Sequence, residues 1–238
     1  DIKMRDIAVC LLSGGIDSCV ASTLTKMNNE IYLLSFDYGQ TLVKELEHAK
    51  RISNYLKPKE HKILSIKDFK EVSWSSLTGQ KEIPKEETLE ESIENIPDNY
   101  PPARDPFFIM LASAWLESIM LEDIYNVNPG KIVIGTIKED SLVFPDCKKE
   151  FYRRYNKLFE ISTKTAIQYH QPFRIETPLI DLTKKEVIKL GLDINAPLHF
   201  TWSCYKGEEL ACGECDPCKF RKQAFEENGI KDFVEYIS

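Results

Sequence analysis

Ile7-Ala8-Val9-Cys10-Leu11-Leu12-Ser13-Gly14-Gly15-Ile16-Asp17-Ser18 decides the fold. A short apolar run that ends in two glycines and an Asp/Ser pair is the pattern of a buried strand, a tight turn and a helix N-terminus. Glycine lets a backbone approach a ligand closely and adopt positive φ. The free amides of a helix start, with its dipole, form an anion site. Ser13 and Ser18 add hydroxyl donors, and Asp17 is placed to hold magnesium on bound phosphates. The stretch is not a Walker loop, because that spacing and its lysine are missing. An ordinary βα turn that happens to use glycines is the bland alternative, and the complete Ser-Gly-Gly-x-Asp-Ser string argues against it.

Outward from this stretch, the chain alternates strand and helix signals. Residues 31–36 read as a second buried strand ending at Asp37-Tyr38-Gly39-Gln40, residues 41–56 as a helix stopped by Pro58, and residues 61–66 as a third strand. This order predicts an α/β fold: a Rossmann-like parallel sheet with helices on both faces. Residues 67–100 are polar, acidic and irregular, the pattern of a functional flap or mobile loop. A helix over 106–121, a strand over 131–135 and a helix from Pro145 to about Tyr169 follow. A short strand over 176–179 and a helix over 183–190, opened by a Thr-Lys-Lys-Glu capping box, come next. Ligands of open parallel sheets sit beyond the carboxyl ends of the strands. Ser13–Ser18, Asp37–Gln40 and Gly135–Asp146 are therefore expected to converge on one cleft.

The 238 residues suit one α/β domain, assigned to residues 1–200, with a small appendage over 201–238. A net charge of −7 argues against a broad nucleic-acid surface. There is no 18-residue apolar stretch and no signal-peptide pattern, so a cytoplasmic location and no membrane partner are expected. Four of the seven cysteines fall in Cys204-x7-Cys212-x2-Cys215-x2-Cys218. Those spacings suit four thiolates around a structural zinc ion rather than a disulfide framework. Glu208, Glu209, Glu214 and Asp216 around them disfavour phosphate contact. Cys10 and Cys19 read as core packing.

The phosphate-binding stretch resembles that of the PP-loop ATP pyrophosphatases, which bind the pyrophosphate end of ATP there and transfer AMP to a substrate oxygen. Four further stretches occur in order: Phe36–Gln40, Pro102-Ala103-Arg104-Asp105, Phe144-Pro145-Asp146-Cys147-Lys148, and Thr201–Cys218. Together they resemble the 7-cyano-7-deazaguanine synthase family over about residues 9–221. The resemblance implies an adenine nucleotide alpha hydrolase-like fold, ATP, Mg2+ and Zn2+ as cofactors, and a homodimer. It implies that ATP activates the carboxylate of 7-carboxy-7-deazaguanine, that ammonia gives an amide, and that a second ATP drives dehydration to the nitrile. Leu12, Ser13, Gly14, Gly15, Ile16, Asp17, Ser18 and Phe36 are carried over as the ATP site. Tyr38, Gln40, Arg104, Asp140, Phe144, Asp146 and Lys148 are carried over as the substrate site, with Asp17, Arg104 and Asp105 as catalytic residues.

Two stretches depart from the family pattern. Asp105 stands where the family usually has Asn, and Phe144 and Lys148 stand where it usually has Tyr and Arg. A carboxylate at 105 attracts an ammonium or alkylammonium group, and Lys does not reproduce a bidentate Arg. The departures open a second reading, a divergent relative that stops at the amide or joins the deazaguanine to a protein amine in antiphage defence. A tRNA-thiolating PP-loop enzyme is a more distant third, disfavoured by cysteines committed to metal and by the lack of a basic arm.

Overall fold

The computed structural model describes residues 4–38, 43–73, 96, 100–206 and 209–237. Gln40 and most of the 67–100 stretch lie outside them. Five parallel strands form one sheet: β1 (Ile7–Leu11), β2 (Glu30–Asp37), β3 (Glu60–Ser65), β4 (Lys131–Val133) and β5 (Arg174–Glu176). Their spatial order is β3-β2-β1-β4-β5, with Cys10 opposite both Leu33 and Val133. The order reverses between β1 and β4, which opens a crevice at their carboxyl ends.

The helices are α1 (Ile16–Lys26), α2 (Val43–Leu56), α3 (Phe69–Val72), α4 (Arg104–Glu122), α5 (Lys138–Val143), α6 (Lys149–Ser162), α7 (Lys164–Tyr169), α8 (Lys184–Asp193) and α9 (Asp216–Glu226). Alternation along β1 divides the core into two layers. Ala8 and Cys10 point to one face, where Val20 of α1, Ile52 of α2 and Val187 of α8 cover them. Ile7 and Val9 point to the other, covered by Ile109 and Leu116 of α4 and Phe159 of α6. A strand buried on both faces needs apolar residues at every position, which is why residues 7–12 show no polar alternation. Cys10 and Cys19 lie fully buried among these residues, as core packing requires.

Four elements differ from the sequence reading, each for a local reason. The last strand ends at Glu176, before Pro178, and the chain turns at once, with Ile180 N–H donating to the Thr177 carbonyl (3.2 Å). The single helix expected from Pro145 to Tyr169 is three pieces: a 3-10 turn over Pro145–Cys147, then α6, then α7. Thr163 breaks it by leaving helical geometry (φ −114°, ψ 145°) and accepting from the Ala166 amide, so it caps α7. Helices α5 and α9 carried too weak a period to be read. The capping box of α8 is present: Thr183 N–H donates to Glu186 Oε2 (2.8 Å) and Glu186 N–H to Thr183 Oγ1 (3.4 Å).

Beyond α8, a 3-10 turn at Leu198–Phe200 leads into the cysteine-containing segment. Its centre is the buried Arg221, whose guanidinium forks onto Asp232 (2.8 and 2.9 Å) and also donates to Thr201 Oγ1 (2.9 Å).

At the crevice the exit of β4 is pressed against the start of α1. A Cβ at Gly135 would lie 2.7 Å from the Asp17 carbonyl carbon and 2.8 Å from Ser18 N. Both neighbours are backbone, so neither yields without moving the turn after β1. Gly135→Ala is expected to destabilise the fold by about 1–3 kcal/mol, read as a lower urea midpoint at unchanged m-value.

Candidate active site

The turn after β1 is built from its own hydroxyls and glycines. Leu12 N–H continues the ladder to the Leu34 carbonyl (2.8 Å), and the chain then leaves the sheet. Ser18 Oγ accepts from Ser13 N–H (3.2 Å), contacts Ser13 Oγ (3.1 Å), and donates to the Gly15 carbonyl (3.2 Å). Gly14 has φ +99°, open to glycine alone without strain, and a Cβ there would run into the Glu45 carbonyl oxygen of α2. On its other side the Gly14 carbonyl accepts from Trp202 N–H (3.0 Å). No side chain caps α1, so its first amides remain available to an anion.

In front of this turn lies a cavity of about 420 Å³. It is lined by residues from every segment expected to converge: Leu12, Ser13, Asp17 and Ser18 after β1, Phe36 and Tyr38 after β2, Arg104 and Asp105 opening α4, and Asp140, Phe144 and Asp146 after β4. Gly14 and Gly15 shape the turn behind them. Ile16 is elsewhere: its side chain points back into the core between α1 and α8 and is 2% exposed. Lys148 does not line the cavity either. The 3-10 turn aims Asp146 and Cys147 inward, and Lys148, the residue that ends the turn, is exposed.

The cavity also holds residues that the sequence reading did not single out: Glu45 from α2, Tyr100, Phe108, Thr136, Cys147 and Tyr205. Lys184, which opens α8, reaches Asp17 with contacts of 2.6 and 2.7 Å to its two carboxylate oxygens. Cys147 had a signal, since it follows Asp146 in a stretch already under suspicion. Tyr205 had one too, since it lies within the Thr201–Cys218 stretch; Glu45 and Lys184 had none, because each arrives from a helix whose local pattern reads as ordinary surface or capping sequence. Two aromatic pairs form the walls, Phe36 stacked on Phe108 (3.9 Å between centroids, 12°) and Tyr100 on Phe144 (6.4 Å, 20°).

The electrostatics are acidic around one fork-shaped cation. Arg104 Nε donates to Asp105 Oδ1 (3.0 Å). Burial opposes the Arg104 charge, yet Asp105, Tyr38 and Asp146 together hold its pKa above the usual value. Asp146 is pushed up to about 6 by burial and then by Asp105. Asp140 is raised to about 6 by burial and by Asp17, while its carboxylate accepts from Ile137 N–H (3.2 Å) at the start of α5. Glu45 is raised to about 7 by burial, which outweighs the attraction of Arg104. Upward shifts of this kind are common among carboxylates at functional sites.

Beside the turn, the ligand atoms of Cys204, Cys212, Cys215 and Cys218 all lie within 4.8 Å of one another. Backbone N–H groups of Cys212 and Lys206 point at Cys204 Sγ (3.3 and 3.4 Å), and that of Cys215 at Cys212 Sγ (3.4 Å). Four soft donors at this separation fit a tetrahedral zinc ion with every ligand position filled by protein.

Comparison with known proteins places this arrangement. The family described as "Queuosine biosynthesis protein QueC" matches residues 7–229. A 7-cyano-7-deazaguanine synthase from Acetivibrio thermocellus is 42% identical over 233 residues, covering 97% of each chain. One from Acidobacterium capsulatum is 39% identical over 235 residues, covering 98% of this chain and 97% of its own. One from the archaeal genus Thermoplasma (T. volcanium) is 38% identical over 233 residues, covering 96% and 90%. This chain belongs to the 7-cyano-7-deazaguanine synthase family. It is an enzyme, and the match runs through both the phosphate-facing turn and the four cysteines, so both are features of a family member's full length. Among the described residues no helix is long and apolar enough to cross a membrane.

Holding Asp146 charged in this enzyme has a thermodynamic cost. A carboxyl whose folded-state pKa is raised from 3.8 to about 6 favours the protonated fold. Its penalty is therefore full above that pKa and disappears as the pH falls toward 3.8. At a pH well above 6, Asp146→Asn is expected to be more stable than wild type by about 1–3 kcal/mol. The advantage should shrink on acidification. Urea unfolding of the ligand-free enzyme at both pH values measures it; an unchanged difference excludes Asp146 as its source.

Proposed function

We propose that this enzyme uses ATP to activate the carboxylate of 7-carboxy-7-deazaguanine, aminates it with ammonia, and dehydrates the amide to 7-cyano-7-deazaguanine. The observation that carries the reading is one cavity in which a Ser-Gly-Gly-x-Asp-Ser turn faces Arg104 and four carboxylates. A carboxylate is a poor electrophile until its oxygen becomes a leaving group. Transfer of AMP to that oxygen achieves this and releases pyrophosphate into the turn, where the α1 amides and the Ser13 and Ser18 hydroxyls receive it. Arg104, with its planar fork, suits the substrate carboxylate or a phosphate. Asp140 and Asp146 suit the N–H donors of a guanine-like edge. Phe144, backed by Tyr100, gives the ring a flat wall.

Magnesium would supply charge neutralisation on the departing pyrophosphate, and Asp17 is the carboxylate of the turn suited to it. That role requires Asp17 to exchange its contact with Lys184, freeing a cation beside the turn for phosphate. The second activation repeats the first on the amide oxygen, and loss of AMP with the remaining N–H protons leaves the nitrile.

A second reading rests on Asp105. Its carboxylate lines the cavity beside Arg104, where it attracts an amine as readily as ammonium. That reading ends at an amide. Product mass decides between them after incubation with ATP, 7-carboxy-7-deazaguanine and either ammonium or a peptide with a free amino terminus. We expect the nitrile and two AMP per product. An amide with one AMP, or a peptide adduct, supports the second reading, and no substrate-dependent AMP rejects both.

We further propose that the four cysteines hold zinc. Purified enzyme is expected to carry about one zinc per chain, and chelation is expected to lower its melting temperature as well as its activity. Metal analysis with a thermal melt tests this. A fully folded protein with less than about a tenth of an equivalent would overturn the structural role.

A further inference from the structure

The carboxylates that reach the cavity differ in what already holds them. Asp17 is held by Lys184, Asp105 by Arg104, and Asp140 by the Ile137 amide. Asp146 lies within reach of Asp105 and Cys147 and turns back toward its own amide. Glu45 is different. Among the described residues its carboxylate makes no hydrogen bond and no ion pair; Arg104 acts on it only through its field. Its place is fixed all the same. The first turn of α2 packs directly on Gly14, so Glu45 stands over the turn that faces the pyrophosphate. Glu45 lines the cavity, and a carboxylate there with no bonded partner among the described residues suits a proton that arrives with a ligand.

We propose that Glu45 is the catalytic base that takes the proton from the incoming ammonium in the amide-forming step. The inference rests on the proposed function and names a residue of the same site. Ammonium gives one proton to the Glu45 carboxylate. The freed lone pair of ammonia forms the C–N bond at the carbonyl carbon of the acyl adenylate. The C–O bond to AMP breaks with its electron pair on the phosphate, and the second nitrogen proton passes to solvent. The groups that face Glu45 support this assignment. Arg104 from α4 favours the charged carboxylate that must receive the proton, while Tyr38 from the end of β2 and Tyr205 from the cysteine segment surround it with groups neutral at physiological pH. Lys44, the neighbouring residue on α2, is turned onto the Trp202 ring (4.5 Å) rather than toward the carboxylate. Burial raises Glu45 to about 7, near the operating pH, where a general base works best.

The test compares two nucleophiles in the complete enzyme. Ammonium must lose a proton before it attacks, whereas hydroxylamine is already neutral at neutral pH. For Glu45→Gln we expect ammonium-driven turnover to fall about 10²-fold or more, the acid limb of its pH profile to vanish, and hydroxamate formation from hydroxylamine to be retained. Glu45→Asp, which keeps a carboxylate one methylene further back, is expected to recover part of the ammonium reaction. Equal losses with both nucleophiles would overturn the proposal and make Glu45 a structural residue. An acid limb that persists in Glu45→Gln but disappears in Asp146→Asn would also overturn it, moving the base to Asp146. Wild-type enzyme without substrate-dependent pyrophosphate exchange would instead reject the underlying function.

Discussion

The Glu45 carbonyl oxygen stands where a side chain at residue 14 would have to go. That exclusion fixes the geometry on which the rest of the site depends. It lets the first turn of α2 rest on the phosphate-facing turn, and Gly14 adopts positive φ to meet it. From the opposite side Trp202 N–H binds the Gly14 carbonyl, so the turn is held between α2 and the cysteine segment. The two supports are joined behind it: His48 of α2 stacks on Trp202 and contacts the Phe200 carbonyl through Nδ1 (2.6 Å). A loop held on both sides keeps one geometry, the condition under which a fixed electrostatic site can lower a barrier.

This arrangement gives the cysteine segment a role beyond its own folding. Trp202 is buried in the cluster that contains Cys204, Cys212 and Cys218, and its indole N–H donates to the Cys204 carbonyl (3.0 Å). The same residue therefore carries a contact to the cysteine segment through its ring and a contact to the turn through its backbone. Arg221, 2% exposed, fastens this segment to Asp232 and Thr201. A buried, fully bonded ion pair of this kind fixes geometry more than it adds stability, and removing one partner would leave an uncompensated charge.

The cavity shows the opposite economy of interactions. Asp140, Asp146 and Glu45 are all raised toward neutral pH by burial. Each disfavours the fold when charged, and the well-packed layers on both faces of the sheet offset that cost. Sites of catalysis commonly concentrate such locally unfavourable groups, because a group satisfied within the protein has little left to offer a ligand.

Much of this was legible in the chain. Residues 7–18 gave the first strand, the turn and the start of α1, because apolar run, glycine and helix-start signals are local and agree with one another. The cysteine spacing gave the four-cysteine cluster, the rule that ligands lie at strand carboxyl ends gathered Asp140 and Asp146 near the turn, and the family resemblance added Arg104. The expected continuous helix over 145–169 failed at Thr163, whose preference for a cap outweighed the helical period around it. Lys148 lies outside the cavity lining: a motif shows which residues travel together, whereas the pitch of the 3-10 turn decides which of them face inward. Glu45 and Lys184 became visible only in three dimensions. They come from α2 and α8, each of them remote along the chain from the turn it serves. Sequence by itself determined the first strand, the turn and the start of α1, since those follow from neighbouring residues. Only the tertiary structure decided which cavity carboxylates are held and which, among the described residues, has no bonded partner, since partners and burial depend on the packing of distant segments.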